Sequence, residues 1–265
     1  MLLATIHAAV AQEPIFPYPG KLIIIGGGSI PDTIFDHFAQ SIGGRDQPVV
    51  YIPTATSDES WIQAGKHLEK FKNKQFTNLQ TVHTRHRDSA DLPVFLERIR
   101  SAKGIFIGGG DQSRLADAYR GTLLHQELFA LLERGGTIMG TSAGASIMGS
   151  VLVGGDHRKD PSKKFQLPQG LAFMKRTAID QHVLVRNRAF DLIPVLENYP
   201  NTFGLSLDES TAAIVTTQEI RVIGQSYMMT YDPADWTSQL QRWGRILQPF
   251  RFHAPGGRYE LSQLK

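Results

Sequence analysis

Not one of the 265 residues is a cysteine, which excludes disulfides, thiolate metal sites and a cysteine nucleophile. No run of about 18 apolar residues occurs, so no membrane-spanning helix and no membrane partner are expected. Charge of one sign is also scarce: 28 Lys and Arg stand against 25 Asp and Glu, a net +3. No Lys/Arg block is long enough to grip a phosphate backbone, so nucleic acid is not an expected partner. The densest basic segment, 157–164, is interrupted by Asp160 and Pro161 and reads as a solvated loop. A Walker-type phosphate loop and a His-Glu-x-x-His helix are both missing, so neither a metal nor an organic cofactor is expected.

What is present is ordinary globular material. Apolar residues make up 41% of the chain, enough for a substantial core, and the expectation is a single α/β domain over 21–265. Residues 1–20, with Pro14, Pro17 and Pro19, are expected to form an extended segment outside that core. Within it, 2–10 is mostly apolar and Ala9-Val10-Ala11 fits a small-x-small cleavage site before Gln12. Against a signal peptide, no Lys or Arg precedes Lys21. Export is favoured over a cytoplasmic location by a narrow margin, with a frayed terminus as the alternative.

Four apolar, β-branched segments, 21–25, 48–52, 104–107 and 136–139, alternate with helical patterns at 33–42, 59–72, 114–119 and 126–133. Near-continuous apolar strands alternating with helices predict a mostly parallel sheet covered on both faces by helices. Further strands are expected at 176–180, 211–215 and 221–223, and a helix at 188–197 before Pro200. The tail from Asp232 carries Trp236 and Trp243 and no assignable pattern. Glycine clusters end three strands: Gly26-Gly27-Gly28, Gly108-Gly109-Gly110 and Gly140. In open α/β sheets that edge holds the ligand site.

The segment Gly140-Thr141-Ser142-Ala143-Gly144 has the layout of a nucleophile elbow. An apolar strand runs into Gly-x-Ser-x-Gly and then into small residues that tolerate a helix, whose N-terminal N–H groups suit a developing oxyanion. Gly108-Gly109-Gly110-Asp111-Gln112 can turn backbone N–H groups toward a ligand, and Gln112 suits an amide or carboxylate. Asp111 as a helix cap is the plain alternative. Gly26-Gly27-Gly28-Ser29-Ile30-Pro31 lacks the spacing of a dinucleotide fingerprint and reads first as a tight strand-to-helix turn, with a role lining a catalytic cleft as the alternative. Asp180-Gln181-His182 supplies a candidate base, and Arg186 and Arg188 suit an anionic substrate. Asp208 and Glu209 stand just before a strand, and either can orient an imidazole. An α/β-hydrolase esterase is disfavoured, because there the acid precedes the histidine in chain order. A catalytically silent binding protein is disfavoured by the intact Ser142, His182 and acids.

Together, Ile52-Pro53-Thr54-Ala55, Gly108 to Gln112, Gly140 to Ala145, Asp180-Gln181-His182 with Arg186 and Arg188, and Leu207-Asp208-Glu209-Ser210-Thr211-Ala212 resemble cyanophycinase and its relatives. These are S51 serine peptidases, a group that includes aspartyl dipeptidase. The resemblance spans about 21–232, with the motifs in the family's order. It implies a flavodoxin-like fold similar to class I glutamine amidotransferases, no cofactor, and a homodimer. It also implies a triad of Ser142 (nucleophile), His182 (base) and Glu209 (acid). The N–H of Ala143, with that of Gly109 or Gly110, would receive the oxyanion. Gln112, Asp180, Gln181, Arg186 and Arg188 would line a pocket for a peptide with an anionic aspartyl group. The chain departs from the family at Asp191, where cyanophycinase has a further arginine.

Overall fold

In the computed structural model of the chain, residues 13–153, 169–235 and 248–264 are described. The apolar stretch 2–10 with its cleavage pattern, the basic segment 157–164, and Trp236 and Trp243 lie outside them. Strands and helices alternate through the first half. They are β1 (Lys21–Ile25), α1 (Asp32–Ile42), β2 (Val49–Ile52), α2 (Glu59–Gln63), α3 (Glu69–Asn73), β3 (Leu79–Thr81), α4 (Arg87–Ala90), α5 (Pro93–Ser101), β4 (Gly104–Ile107), α6 (Gln112–Tyr119), α7 (Leu123–Glu133) and β5 (Thr137–Thr141). Every residue of β2 and β4 is buried. A strand covered on both faces has no polar side to alternate with, hence its near-continuous Val and Ile. α1 buries Ile34, Phe35, Phe38, Ala39 and Ile42, the one-sided pattern of an amphipathic helix, and ends at Gly43 with φ 94°.

The second half is α8 (Ala143–Ser146), β6 (Gly149–Val151), β7 (Met174–Gln181), α9 (Ile193–Asn198), β8 (Phe203–Leu207), β9 (Thr211–Val215), β10 (Glu219–Gly224), β11 (Met228–Tyr231), β12 (Arg251–His253) and β13 (Arg258–Glu260). Two sheets result. The larger has the order β13-β10-β9-β1-β5-β4-β2-β3. It is parallel from β1 to β3 and antiparallel where β9, β10 and β13 extend it. The smaller, β12-β11-β8-β7-β6, is parallel at β6-β7-β8 and antiparallel beyond. The fold is α/β, with mixed sheets flanked by helices. Among the described residues no helix is long and apolar enough to cross a membrane.

Several expectations change. The strand expected at 176–180 belongs to the second sheet, which a single parallel sheet does not contain. The helix expected over 59–72 breaks at Gly65, whose φ of 69° ends α2 and leaves a 3₁₀ turn before α3. The helix expected from 188 starts only at Ile193. Asn187 is left-handed (φ 55°), and Pro194 fits the first turn, where no N–H is needed. The segment 1–20 does not lie wholly outside the core: Ile15 and Phe16 are buried in it. Phe16 stacks edge-on against Tyr18 at 5.4 Å, and the Ile15 carbonyl accepts from the N–H of Lys175. Proline removes donors but does not prevent burial of the apolar side chains beside it.

The two sheets meet where chemistry was expected. The backbone N–H of Ser142 donates to the Ile25 carbonyl (3.0 Å), that of His182 to Gly26 (2.8 Å) and that of Ser210 to Gly27 (3.0 Å). Three consecutive carbonyls at the end of β1 therefore anchor the ends of β5 and β7 and the turn from β8 to β9.

Candidate active site

Ser142 sits between β5 and α8 with φ 54° and ψ −116°, a left-handed conformation rare for a residue with a side chain. Both flanking glycines are required sterically. A Cβ on Gly140 would lie 2.2 Å from the Gly144 carbonyl, and one on Gly144 would lie 2.1 Å from the Ile107 carbonyl. The pentapeptide thus packs its own turn against β4 and presents a half-buried hydroxyl.

His182, also left-handed (φ 57°), follows β7 and reaches that hydroxyl: its Nε2 is 2.9 Å from Ser142 Oγ. Its Nδ1 is 2.5 Å from Glu209 Oε1. The imidazole is buried while the carboxylate is partly open. Burial is the largest influence on the ring and lowers its pKa below the usual histidine value. The bond to Glu209 opposes this, and the positive charge of Arg186 and then Arg188 adds to the lowering. The net result is an unprotonated ring at neutral pH, with Nε2 able to accept the serine proton and Nδ1–H donated to Glu209.

The adjacent acids divide the work. Glu209 meets the imidazole, whereas Asp208 is buried and faces the backbone. Asp208 Oδ1 accepts from the N–H groups of Leu184 and Val185, both at 3.1 Å, and Oδ2 accepts from Ser226 Oγ at 2.7 Å. Asp208 therefore holds the turn that follows His182. Residue chemistry leaves the choice between the two carboxylates open, the resemblance implies Glu209, and Glu209 is the one that points at the ring.

The glycines near the serine differ from one another. A Cβ on Gly109 would lie 3.3 Å from Ser142 Cβ, so this backbone runs alongside the nucleophile. Gly110 (φ 138°) instead presses on the 53–56 loop, where a Cβ would lie 2.2 Å from the Ala55 carbonyl. The N–H groups of Gly109 and Gly110 make no hydrogen bond among the described residues. Ala143 directly follows Ser142 and is fully buried.

Of the residues expected to line a substrate pocket, only Arg186 is exposed. Gln112 is buried at the start of α6, and its Nε2 donates to the Val153 carbonyl at 2.9 Å. Asp180 is buried, with Oδ1 accepting from the N–H of Gln181. Gln181 is buried beside it, and its Oε1 has no partner among the described residues. Arg188 is 5% exposed, its Nε 4.0 Å from Asp191 Oδ2. Asp191 thus sits against the arginine it follows. No group of three or more His, Asp or Glu side chains among the described residues is placed to hold a metal ion.

The Gly26 to Gly28 run, read from the sequence first as a tight turn and otherwise as the lining of a catalytic cleft, is part of the site. A Cβ on Gly26 would lie 2.1 Å from the Asp208 carbonyl, one on Gly27 2.2 Å from His182 Cε1, and one on Gly28 2.5 Å from Glu209 Oε2. Three glycines in a row are thus three close approaches, the first to the Asp208 backbone, the second to the base and the third to its acid. Their run at a strand end, unexplained by a nucleotide fingerprint, was the available signal.

Comparison with known proteins gives the family. The sequence profile of peptidase family S51 matches residues 22–223. The cyanophycinase of Geminocystis herdmanii is 30% identical over 219 residues, 80% of each chain. That of Synechococcus elongatus is 29% identical over 225 residues, covering 82% of this chain and 70% of the relative. Among solved structures, a peptidase from an acI-B1 actinobacterium superposes with a TM-score of 0.70 at 21% identity, covering 91% of this chain and 96% of that one. A putative peptidase E from Listeria monocytogenes gives 0.57 at 17% identity, over 78% and 99%. At such identities these two speak to the fold alone.

Proposed function

This chain belongs to peptidase family S51, and from that premise we propose that it is a serine-type exopeptidase or isopeptidase cleaving β-aspartyl peptides through an acyl-enzyme on Ser142. The observation that carries the reading is the continuous contact from Ser142 Oγ to His182 Nε2 and from His182 Nδ1 to Glu209. His182 takes the hydroxyl proton as Oγ attacks the scissile carbonyl, and Glu209 stabilises the imidazolium. The N–H of Ala143 and one from Gly109 or Gly110 receive the oxyanion. His182 then hands its proton to the leaving amine. Water, deprotonated by the same ring, attacks the ester and restores Ser142 as the aspartyl acid departs.

The depressed pKa of His182 supports this role, since the base must be unprotonated before attack. Arg186 and Arg188 suit the free carboxylate of the aspartyl unit. Asp191, beside Arg188, reduces the positive charge there, which favours a β-aspartyl peptide other than cyanophycin itself. The homodimer implied by the resemblance belongs to the same proposal and is tested by sedimentation equilibrium.

The test is incubation with β-Asp-Leu, β-Asp-Arg, α-Asp dipeptides and cyanophycin, with products identified by mass spectrometry, for the wild type and Ser142→Ala. Cleavage of a β-aspartyl bond by the wild type alone is expected. Cleavage retained by Ser142→Ala overturns the mechanism, and cleavage of α-linked peptides alone overturns the substrate class.

A further inference from the structure

A second series of hydroxyl, imidazole and carboxylate runs through the molecule away from Ser142. Thr54 Oγ1 is 2.9 Å from His83 Nδ1, and His83 Nε2 is 3.0 Å from Glu59 Oε2. It is not a second nucleophile site. Thr54 is fully buried, and its hydroxyl is shared with Tyr119 Oη at 2.6 Å, so no substrate reaches it. The series instead anchors a loop.

That loop, residues 53–56, follows β2 and has three consecutive carbonyls, all of which accept from arginine. Arg85 donates from one terminal nitrogen to Thr54 O (3.2 Å) and from the other to Thr56 O, while its Nε donates to Glu59 Oε1 at 2.5 Å. Arg114 donates to Ala55 O at 2.9 Å. The whole guanidinium of Arg85 is thus committed, with Glu59 fixing its orientation, the planar fork geometry that suits arginine and not lysine. Ala55 O also accepts the N–H of Asp111 at 2.9 Å. It is the same atom that Gly110 presses upon. The clamped loop is therefore the floor beneath residues 110–111, and the adjoining Gly109 lies alongside Ser142.

We propose that Arg85, held by Glu59, is a positioning residue: by clamping the 53–56 loop it fixes the 109–110 backbone N–H groups in oxyanion-binding geometry. The inference rests on the serine-peptidase reading of the same site. Removing Arg85 leaves two loop carbonyls without these donors. The turn above them then gains freedom in the direction that matters for an oxyanion and not for initial substrate binding. Loss of a whole oxyanion donor slows reaction about 10²–10³-fold. Loosening one by a fraction of an ångström is expected to slow it about 10–100-fold.

The experiment compares Arg85→Met, Glu59→Gln and Arg134→Met in the full chain. Arg134 also straps backbone carbonyls, those of Ile99 and Ala102, but away from the site, and so controls for stability loss alone. The readouts are kcat and KM on β-Asp-Leu and the rate of fluorophosphonate labelling at Ser142. Arg85→Met is expected to lower kcat and the labelling rate about 10–100-fold with KM within twofold, and Arg134→Met to leave both within twofold. Glu59→Gln, which keeps the carbonyl bonds, is expected to lower kcat several-fold and serves if Arg85→Met does not fold. Equal losses in the Arg85 and Arg134 variants, or unchanged kcat in Arg85→Met or Glu59→Gln, overturn the clamp while leaving the serine mechanism intact. Failure of the wild type to take label at Ser142 overturns the serine mechanism and the clamp together.

Discussion

Replacement of Gly27 by alanine separates two effects that usually arrive together. Gly27 has φ 103°, so any side chain there is strained, at about 1–3 kcal/mol. Its added methyl would also lie 2.2 Å from His182 Cε1. Ordinary carbon contact begins near 3.4 Å, so the imidazole or the turn must retreat by roughly 1.2 Å. The Ser142–His182 contact is 2.9 Å, and a retreat of that size takes it beyond hydrogen-bond reach. A misplacement of about 1 Å costs on the order of 100-fold in rate. Gly43 provides the control: its φ is 94°, yet an added Cβ would meet only Gln47 Cγ, at 3.9 Å. Gly43→Ala thus carries similar backbone strain with no contact to the site. Both variants are expected to melt a few degrees lower, at about 2–4 °C per kcal/mol for a chain of this size. Only Gly27→Ala should lose kcat, by about 100-fold or more. The assay is calorimetry together with steady-state cleavage of β-Asp-Leu. A Gly27→Ala enzyme with kcat within threefold of wild type, or equal losses in both variants, refutes the claim that this glycine exists to admit the imidazole.

Two further outcomes follow from burial and charge. Because the base must be unprotonated and its pKa lies below the ordinary value of 6.5, the acid limb of kcat/KM should fall below pH 6.5. Arg186 contributes to that depression, so Arg186→Gln should move the limb to higher pH, and an unmoved limb in pH-rate profiles removes the coupling. Phe16→Ala should destabilise the fold by about 3–5 kcal/mol, as for a fully buried aromatic, lowering the melting temperature by roughly 10 °C. A thermal shift of a degree or less would return residues 13–20 to the status of an appendage.

Local chemistry explains what could be read without coordinates. Gly140-Thr141-Ser142-Ala143-Gly144 was legible because the turn, the nucleophile and the glycines that permit them are neighbours in sequence. β1, β2, β4 and β5 were legible because burial on both faces leaves a continuous apolar run. The second sheet was not. β6, β8 and β12 are three to five residues long, too short for a periodic pattern to stand out. Nor was α5, which buries only Leu96 and Ile99 and leaves Val94 exposed, so that no clear apolar stripe stands out.

The same division runs through the site. Sequence by itself determined the family, the α/β class, the nucleophile candidate and the residues eligible to serve it. Tertiary structure decided which of them meet. Asp208 and Glu209 are adjacent acids of equal chemical promise, and only the course of the chain after β8 sends one to backbone N–H groups and the other to His182. Gly26, Gly27 and Gly28 read first as a turn, and only the approach of β7 and β8 to the end of β1 shows that Gly27 leaves room for the base and Gly28 for its acid. Residue type limits what a side chain can do. Which partner it reaches depends on contacts between segments more than a hundred residues apart, here carbonyls 25 to 27 holding residues 142, 182 and 210.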